Sequence, residues 1–423
     1  MCDTFGPRMT GSQGLEASLD WIQTTANADA MRSLREPVEV PNWRRGAESL
    51  KLKAEGSEIE RELAVTGLGL SIGTGTTPIT ADLVVVRSWD ELALADVEGR
   101  IVLMNVPWAG YNSEYRREIG ARAAARGAVA ALVRSVAPFS LGTLHTGSSI
   151  TARIPSAAIT TEEADMLERM QTRGQRVRLT LSMGAAGCTV DGGCEMVASS
   201  NLIVEIVGTE RPDEIVAIGG HIDSWDVGQG ANDDGGGAFV AWGAVKLLHD
   251  LGLRPKRTIR AIFWNSEENG GSGAEAYYRA HSNEKHLVVL ESDGGVWNPY
   301  GFTVLQSSID ATSFAAMQKI GETQLARIGA GNVSYGGAGA DTQVWCATTP
   351  CGSQVVVDPF TQEPPVAGGG YFYFHHTNAD YVSKVTAAEV DRNVASFAVM
   401  AWALAEYGFE PPAGRASVAM SRK

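Results

Sequence analysis

A strand-like apolar run, Glu214 to Ile218, leads through His221-Ile222-Asp223-Ser224-Trp225-Asp226-Val227-Gly228-Gln229-Gly230-Ala231-Asn232-Asp233-Asp234-Gly235 into a helix-like apolar run, Ala238 to Leu248. Strand, glycine-rich turn and helix in that order predict an open α/β sheet, with the turn at the carboxyl end of a strand. The turn gathers a histidine and several carboxylates where glycines let the backbone bend tightly. Imidazole and carboxylate together suit Zn²⁺ and related cations. A solvated acidic turn capping a helix would use the same residue types, but three further clusters oppose that simpler account.

Trp264-Asn265-Ser266-Glu267-Glu268-Asn269-Gly270 closes the strand-like run Thr258 to Trp264, and Glu291-Ser292-Asp293-Gly294-Gly295 closes His286 to Leu290. Phe374-His375-His376-Thr377-Asn378-Ala379-Asp380 comes last. Loops at the carboxyl ends of neighbouring strands meet at one crevice. His221, Asp233, Glu267, Glu268 and Asp293 are therefore predicted to converge, enough for two metals sharing a bridging carboxylate.

The succession H-x-D, G-A-x-D-D-x-x-G, E-E-x-G, E-S-D and H-x-x-x-D resembles the M28 metallopeptidases, above all their carboxypeptidase Q-like branch. Val40-Pro41-Asn42-Trp43-Arg44-Arg45-Gly46, Leu70-Ser71-Ile72-Gly73-Thr74 and Tyr371-Phe372-Tyr373-Phe374-His375-His376 extend the likeness over nearly the whole chain. The resemblance implies two zinc ions, one held by His221 and Asp293, the other by Glu268 and His376. Asp233 would bridge them through a residue whose peptide bond to Asp234 is cis. Asp223 would orient His221, and Glu267 would be the general base acting on the attacking water. His375 is the alternative to His376 as ligand; alignment with H-x-x-x-D favours His376 and leaves His375 as a packing or substrate-side residue. Asp341 matches an acidic position at the rim of the family's site, either holding a substrate amine or capping the following helix. Tyr335 is the candidate for a tyrosine near the reaction's oxyanion. The implied substrates are small peptides, particularly dipeptides with free termini, and the implied assembly is a homodimer.

Between about Gly69 and Ala186 the texture changes. Ala81 to Arg87, Arg100 to Val106 and Ala128 to Arg134 are strand-like, Tyr115 to Gly127 and Thr161 to Thr172 helix-like. This stretch resembles a protease-associated (PA) domain inserted into the peptidase fold. The predicted architecture is thus a mixed twisted sheet flanked by helices, formed by residues 1–68 and 187–423, with the PA-like insert at 69–186. Because the insert carries no acid–histidine cluster, its expected role is gating or assembly, and its removal is expected to spare metal binding.

The formal net charge of −14 shows no basic footprint and argues against nucleic acid as a partner. No apolar run approaches the roughly 20 residues that span a bilayer, and no basic-plus-apolar leader is visible at the start. Of five cysteines, Cys188 with Cys194 and Cys346 with Cys351 have spacings that could close small disulfide loops. Oxidised pairs would imply an exported protein, secreted or periplasmic, with a cytoplasmic one as the alternative. His145, His249, His281 and His286 lack acidic company and read as structural, and Ala416 to Lys423 as a frayed end. Two other classes share parts of the pattern: a non-catalytic binding protein on the same fold, and a one-zinc acyltransferase of the glutaminyl cyclase type.

Overall fold

A computed structural model describes residues 1–138, 141–149, 153–357 and 370–409, so the expected frayed end at Ala416 to Lys423 lies outside the described residues. Sixteen strands follow one another among them: β1 (Arg32–Pro41), β2 (Glu48–Ala54), β3 (Glu60–Leu63), β4 (Val65–Gly67), β5 (Ile79–Val86), β6 (Ile101–Met104), β7 (Ala130–Arg134), β8 (Ser156–Ile159), β9 (Val177–Met183), β10 (Met196–Ile206), β11 (Arg211–His221), β12 (Arg257–Trp264), β13 (Lys285–Glu291), β14 (Asn298–Val304), β15 (Asn332–Tyr335) and β16 (Cys351–Val357). They form two eight-stranded sheets.

The first sheet has the order β1-β10-β12-β11-β13-β16-β14-β15. Its centre, β12-β11-β13-β16, is parallel, while β1, β10 and β14 pair antiparallel. The central strands alternate between two apolar layers. Val216, Ile218, Ile259, Ala261, Phe263, Val288 and Leu290 face helices Gln13–Ala28, Gly236–Asp250 and Ala387–Tyr407. Ile215, Ala217, Ile262, Trp264 and Val289 face Ala274 and Tyr277 of helix Ser272–His281. Burial on both faces explains why these strands read as continuous apolar runs. The expected mixed sheet flanked by helices is what forms.

The second sheet has the order β3-β2-β9-β5-β6-β7-β8-β4, with β5 to β8 parallel. In β6, Ile101 and Leu103 point to one core while Val102 and Met104 point to the other. The expected boundary at residue 69 needs correction. Leu50 and Leu52 bury their side chains in the second core, so β2 pairs with β9, and β4 pairs with β8. Strands at 48–67 thus belong with the second sheet, although the expected division placed residues 1–68 with the first.

The two sheets are joined through the Asn42-Trp43-Arg44-Arg45 stretch. Arg45 holds both carboxylate oxygens of Asp226 at 2.9 and 2.6 Å, and also reaches the Thr66 hydroxyl at 2.9 Å and the Gly67 carbonyl. Trp43 lies edge-on to Trp225 and donates from Nε1 to the Ser71 carbonyl at 2.8 Å. Disulfides join Cys188 to Cys194 and Cys346 to Cys351, as their spacings allow.

Candidate metal centre

β11 ends on His221, with β12 on one side and β13 on the other, so its carboxyl end lies where the chain switches direction across the sheet. The loop that follows is packed without slack. A Cβ on Gly220 would come within 2.4 Å of Asp234 Oδ2, and one on Gly237 within 1.9 Å of the Ser292 carbonyl oxygen. Asp234 Oδ2 accepts from His221 N at 3.0 Å and its Oδ1 from Gly237 N at 3.0 Å, tying the strand end to the helix start. The Asp233–Asp234 peptide is cis. Asp380 accepts from the backbone N–H of Asn232 at 2.8 Å and of Asp233 at 3.1 Å, which fastens the last motif to this loop. Arg8, fully buried, donates to the carbonyls of Ile222, Gln229 and Gly230. The segment around Gly6 to Ser12 is therefore a brace beneath the loop.

The five side chains singled out as ligands come together. His221 Nε2 lies 3.2 Å from Asp233 Oδ1 and 3.9 Å from Asp293 Oδ1. His376 Nε2 lies 3.3 Å from Asp233 Oδ2 and 2.9 Å from Glu268 Oε2. Asp233 thus turns one oxygen to each imidazole. Asp233 Oδ2 and Glu268 Oε1 are buried without a hydrogen-bond partner, a costly arrangement unless a cation completes it. Burial raises the pKa of Glu268 well above the usual carboxylate range, with Asp233 and Glu267 adding repulsion, and burial pushes Glu267 up to about 8. A nitrogen and oxygen donor set of this kind fits Zn²⁺.

His375 stacks on His376 with ring centroids 3.5 Å apart, and its Nε2 is 3.8 Å from Asp233 Oδ2. It touches Asp233 but not Glu268, and burial lowers its pKa to about 4. Ser266 and His376 both adopt positive φ, 67° and 61°, in the left-handed region that non-glycine residues seldom occupy. Such backbone persists only where the surroundings enforce it, as functional loops do.

A second layer orients these groups. His221 Nδ1 donates to the Asp223 carbonyl at 3.0 Å, which leaves Nε2 toward Asp233. The Asp223 carboxylate is 3.6 Å from that nitrogen. Instead it accepts from the backbone N–H of Glu267 at 3.1 Å, of Glu268 at 3.2 Å, and from the Thr10 hydroxyl at 2.9 Å. Asp223 therefore holds the histidine through its backbone and the glutamate pair through its side chain. Trp225 Nε1 donates to Glu268 Oε2 at 2.6 Å.

The second sheet also enters the site. The Thr146 carbonyl accepts from His376 Nδ1 at 3.3 Å and from Arg116 Nη1 at 3.2 Å, with Arg116 Nη1 itself 3.2 Å from His376 Nδ1. His145 bridges to Thr377. The insert, expected to serve gating or assembly, thus reaches the candidate ligand His376 directly. A cleft of about 540 Å³ is lined by Asp233, Glu267, Glu268, Asp293, His375 and His376 from the first sheet, and by Tyr111, Ser113, Arg116 and Arg117 from the second.

Two candidates sit elsewhere. Tyr335 is exposed and stacks on Phe314 at 3.8 Å, away from the cleft. The tyrosines that line it are Tyr111 and Tyr371, whose hydroxyl donates to Asp293 Oδ1 at 3.1 Å. Asp341 is buried rather than at a rim. Its N–H donates to Glu291 Oε2 at 3.1 Å, both its carboxylate oxygens lack partners, and the short helix Gln343–Trp345 has no side-chain cap. Tyr111, Arg116 and Arg117 escaped notice because they precede the ligands by more than a hundred residues in a differently textured stretch. Tyr371 stood within a quoted motif, and its position beside His375 was the available signal.

Known proteins resemble this chain in sequence and fold. Residues 201–400 match peptidase family M28 and residues 76–167 match the PA domain. The chain is 37% identical over 421 residues to carboxypeptidase Q of Bos taurus, covering 96% of this chain and 84% of that protein. It is 36% identical to carboxypeptidase Q of Homo sapiens over 417 residues, with the same coverage. The crystal structure of a peptidase M28 precursor from Shewanella amazonensis SB2B superposes with TM-score 0.84 at 29% identity, covering 96% of this chain and 92% of that one. The Bacillus subtilis zinc aminopeptidase BSAP shares the fold, with TM-score 0.69 at 19% identity over 96% and 93% of the two chains. A cleft of histidines and acids on this sheet, with such relatives, makes the protein a metallopeptidase. Within that class the chain belongs to peptidase family M28, and it carries a PA domain.

Proposed function

We propose that the protein is a di-zinc exopeptidase that hydrolyses small peptides, particularly dipeptides with free termini. The observation that carries this reading is the placing of Asp233, one oxygen toward His221 and the other toward His376. His221 and Asp293 would hold one zinc, Glu268 and His376 the other, and Asp233 both. Zinc bound there would polarise the scissile carbonyl and acidify water at neutral pH.

The chain's own residues supply the rest. Glu267 lines the cleft, and its backbone is fixed by Asp223. Its carboxylate would accept a proton from the attacking water and deliver it to the departing amine. Tyr371, on Asp293, and His375, on His376, wall the space where the peptide would lie. The cleft's size suits a ligand of a few tens of atoms rather than a folded protein. Two disulfides support an exported location, since such pairs persist in oxidising compartments.

Zinc content by mass spectrometry and hydrolysis of a dipeptide library, on one preparation, test the reading. Two zinc per chain with hydrolysis is expected. Asp233→Ala should lose more zinc than His376→Ala, because it removes a ligand from both positions. One metal per chain with cyclising activity would favour the acyltransferase class, and metal without turnover a binding protein. Two zinc retained in Asp233→Ala would refute the bridge.

A further inference from the structure

The two histidines of the candidate centre are backed by opposite charges. Behind His221, Nδ1 donates to the Asp223 carbonyl, and the Asp223 carboxylate lies 3.6 Å from the same nitrogen. Behind His376 stands a cation. Arg116, on helix Glu114–Ala124 of the PA domain, places Nη1 3.2 Å from His376 Nδ1. Both nitrogens face the Thr146 carbonyl, at 3.2 and 3.3 Å. The guanidinium is fixed there: Arg116 is 4% exposed and packs on Gly147, where a Cβ would come within 2.1 Å of Nη1. Arginine stays charged and offers donors only. His376 Nε2 faces Asp233 and Glu268, so it can take a metal only when the ring proton sits on Nδ1. Two donors then share one carbonyl, side by side. A carbonyl or carboxylate behind a ligating imidazole strengthens it as a ligand. A cation in that place does the reverse, because it opposes further positive charge on the ring.

We infer that Arg116 weakens zinc binding at the His376–Glu268 position, so that the PA domain sets how firmly one of the two metals is held. The inference rests on the two-zinc reading and deepens it. The His221–Asp293 position, backed by an anion, keeps its zinc, while the other exchanges it with the medium. The zinc concentration at which the chain is fully loaded then follows from Arg116. Thr146 does not need Arg116 to stay in place: its N–H donates to the His376 carbonyl at 3.0 Å and its hydroxyl to the Gly67 carbonyl at 2.8 Å. Without the guanidinium, the Thr146 carbonyl is left to the Nδ1 proton alone. A residue that merely braced the site would weaken zinc binding on removal; loss of the Arg116 charge strengthens it.

The test is zinc affinity, measured on the metal-free full chain by competition with a chromophoric chelator. Wild type is compared with Arg116→Gln, Arg116→Met and Arg116→Lys. Wild type should bind in two steps at least about 10-fold apart, the scale on which groups behind a ligand act. Arg116→Gln and Arg116→Met remove the charge with and without a donor. Each should tighten the weaker step by about 10-fold and move the tighter one less than about 3-fold. Arg116→Lys, which keeps a cation, should stay within about 3-fold of wild type at both steps. Glu268→Gln should abolish the weaker step alone, which assigns that step to the His376 position. Loss of the tighter step instead, equal steps in wild type, or a weaker step unchanged or loosened in both neutral variants would overturn the inference. So would equal tightening in Arg116→Lys, since size and not charge would then be the cause. Uptake of a single zinc by wild type would count against the two-zinc reading. In that case a second zinc bound by Arg116→Gln supports the inference, and its absence refutes it.

Discussion

Glu267 and Glu268 are neighbours in sequence but have opposite surroundings. Glu268 is 5% exposed, accepts from the Trp225 indole and lies 2.9 Å from the His376 imidazole, whereas the Glu267 side chain opens on the cleft. Glu267→Gln should keep both metals and lower kcat by at least about 10²-fold, the usual contribution of a general base. Glu268→Gln should lose metal at one position. Zinc analysis and initial rates on both variants check this, and the reverse pattern would exchange their roles. His281 offers a separate test outside the cleft. Burial opposes its charge, but Glu36 at 2.7 Å and Glu284 at 3.0 Å outweigh that and raise its pKa above the ordinary 6.5. A raised folded pKa stabilises fully below the unfolded value and loses that contribution as pH climbs through the folded one. His281→Ala should thus cost about 1 kcal/mol near pH 6 and little at pH 9. Urea unfolding at the two pH values measures the difference, and an equal cost at both would remove the ion pair as its source.

Elements meet here with little tolerance. The helix Gly236–Asp250 can start against the end of β13 only because Gly237 has no side chain: a Cβ there would press on the Ser292 carbonyl, which is backbone and cannot rotate away. Gly237→Ala should therefore destabilise the protein by about 1–3 kcal/mol, as overpacking does, and should lower zinc affinity through Asp234. A thermal melt within 1 °C of wild type would show that the helix simply shifts. Elsewhere the elements follow ordinary local rules. The helix Ala387–Tyr407 begins at Thr386, which accepts from Glu389 N–H while its hydroxyl reaches the Glu389 carboxylate.

At the scale of the whole molecule, two sheets close on one cleft. Arg45 is the main polar link, joining Asp226 of the metal loop to Thr66 and Gly67 of the second sheet. Removing it leaves Asp226 and the partly buried Glu48 without their cation. Arg45→Ala should cost about 2–3 kcal/mol, raise KM and loosen His376, whose Nδ1 depends on the Thr146 carbonyl. Hydrogen exchange at 144–149 with zinc titration would detect this, and unchanged exchange would show that the sheets hold together by apolar contact alone. For the same reason, replacing the PA domain with a linker is expected to weaken the His376 position, not merely alter selectivity.

Sequence alone determined the α/β layout of the first sheet, because strands buried on both faces must be continuous apolar runs and their loops must emerge together at the carboxyl edge. It also pointed to His221, Asp233, Glu267, Glu268 and Asp293 as a converging cluster, since loops at the carboxyl ends of neighbouring strands meet at one crevice, and the family resemblance added His376. Tertiary structure decided what depends on contacts between distant segments. It assigned β2 to the second sheet, where Leu50 and Leu52 find a core. It buried Asp341 against Glu291 and sent Tyr335 to Phe314. It set Thr146, Arg116 and Arg117 of the PA domain beside a histidine more than two hundred residues away. No periodicity encodes such a meeting, because it arises only when two separately formed cores dock.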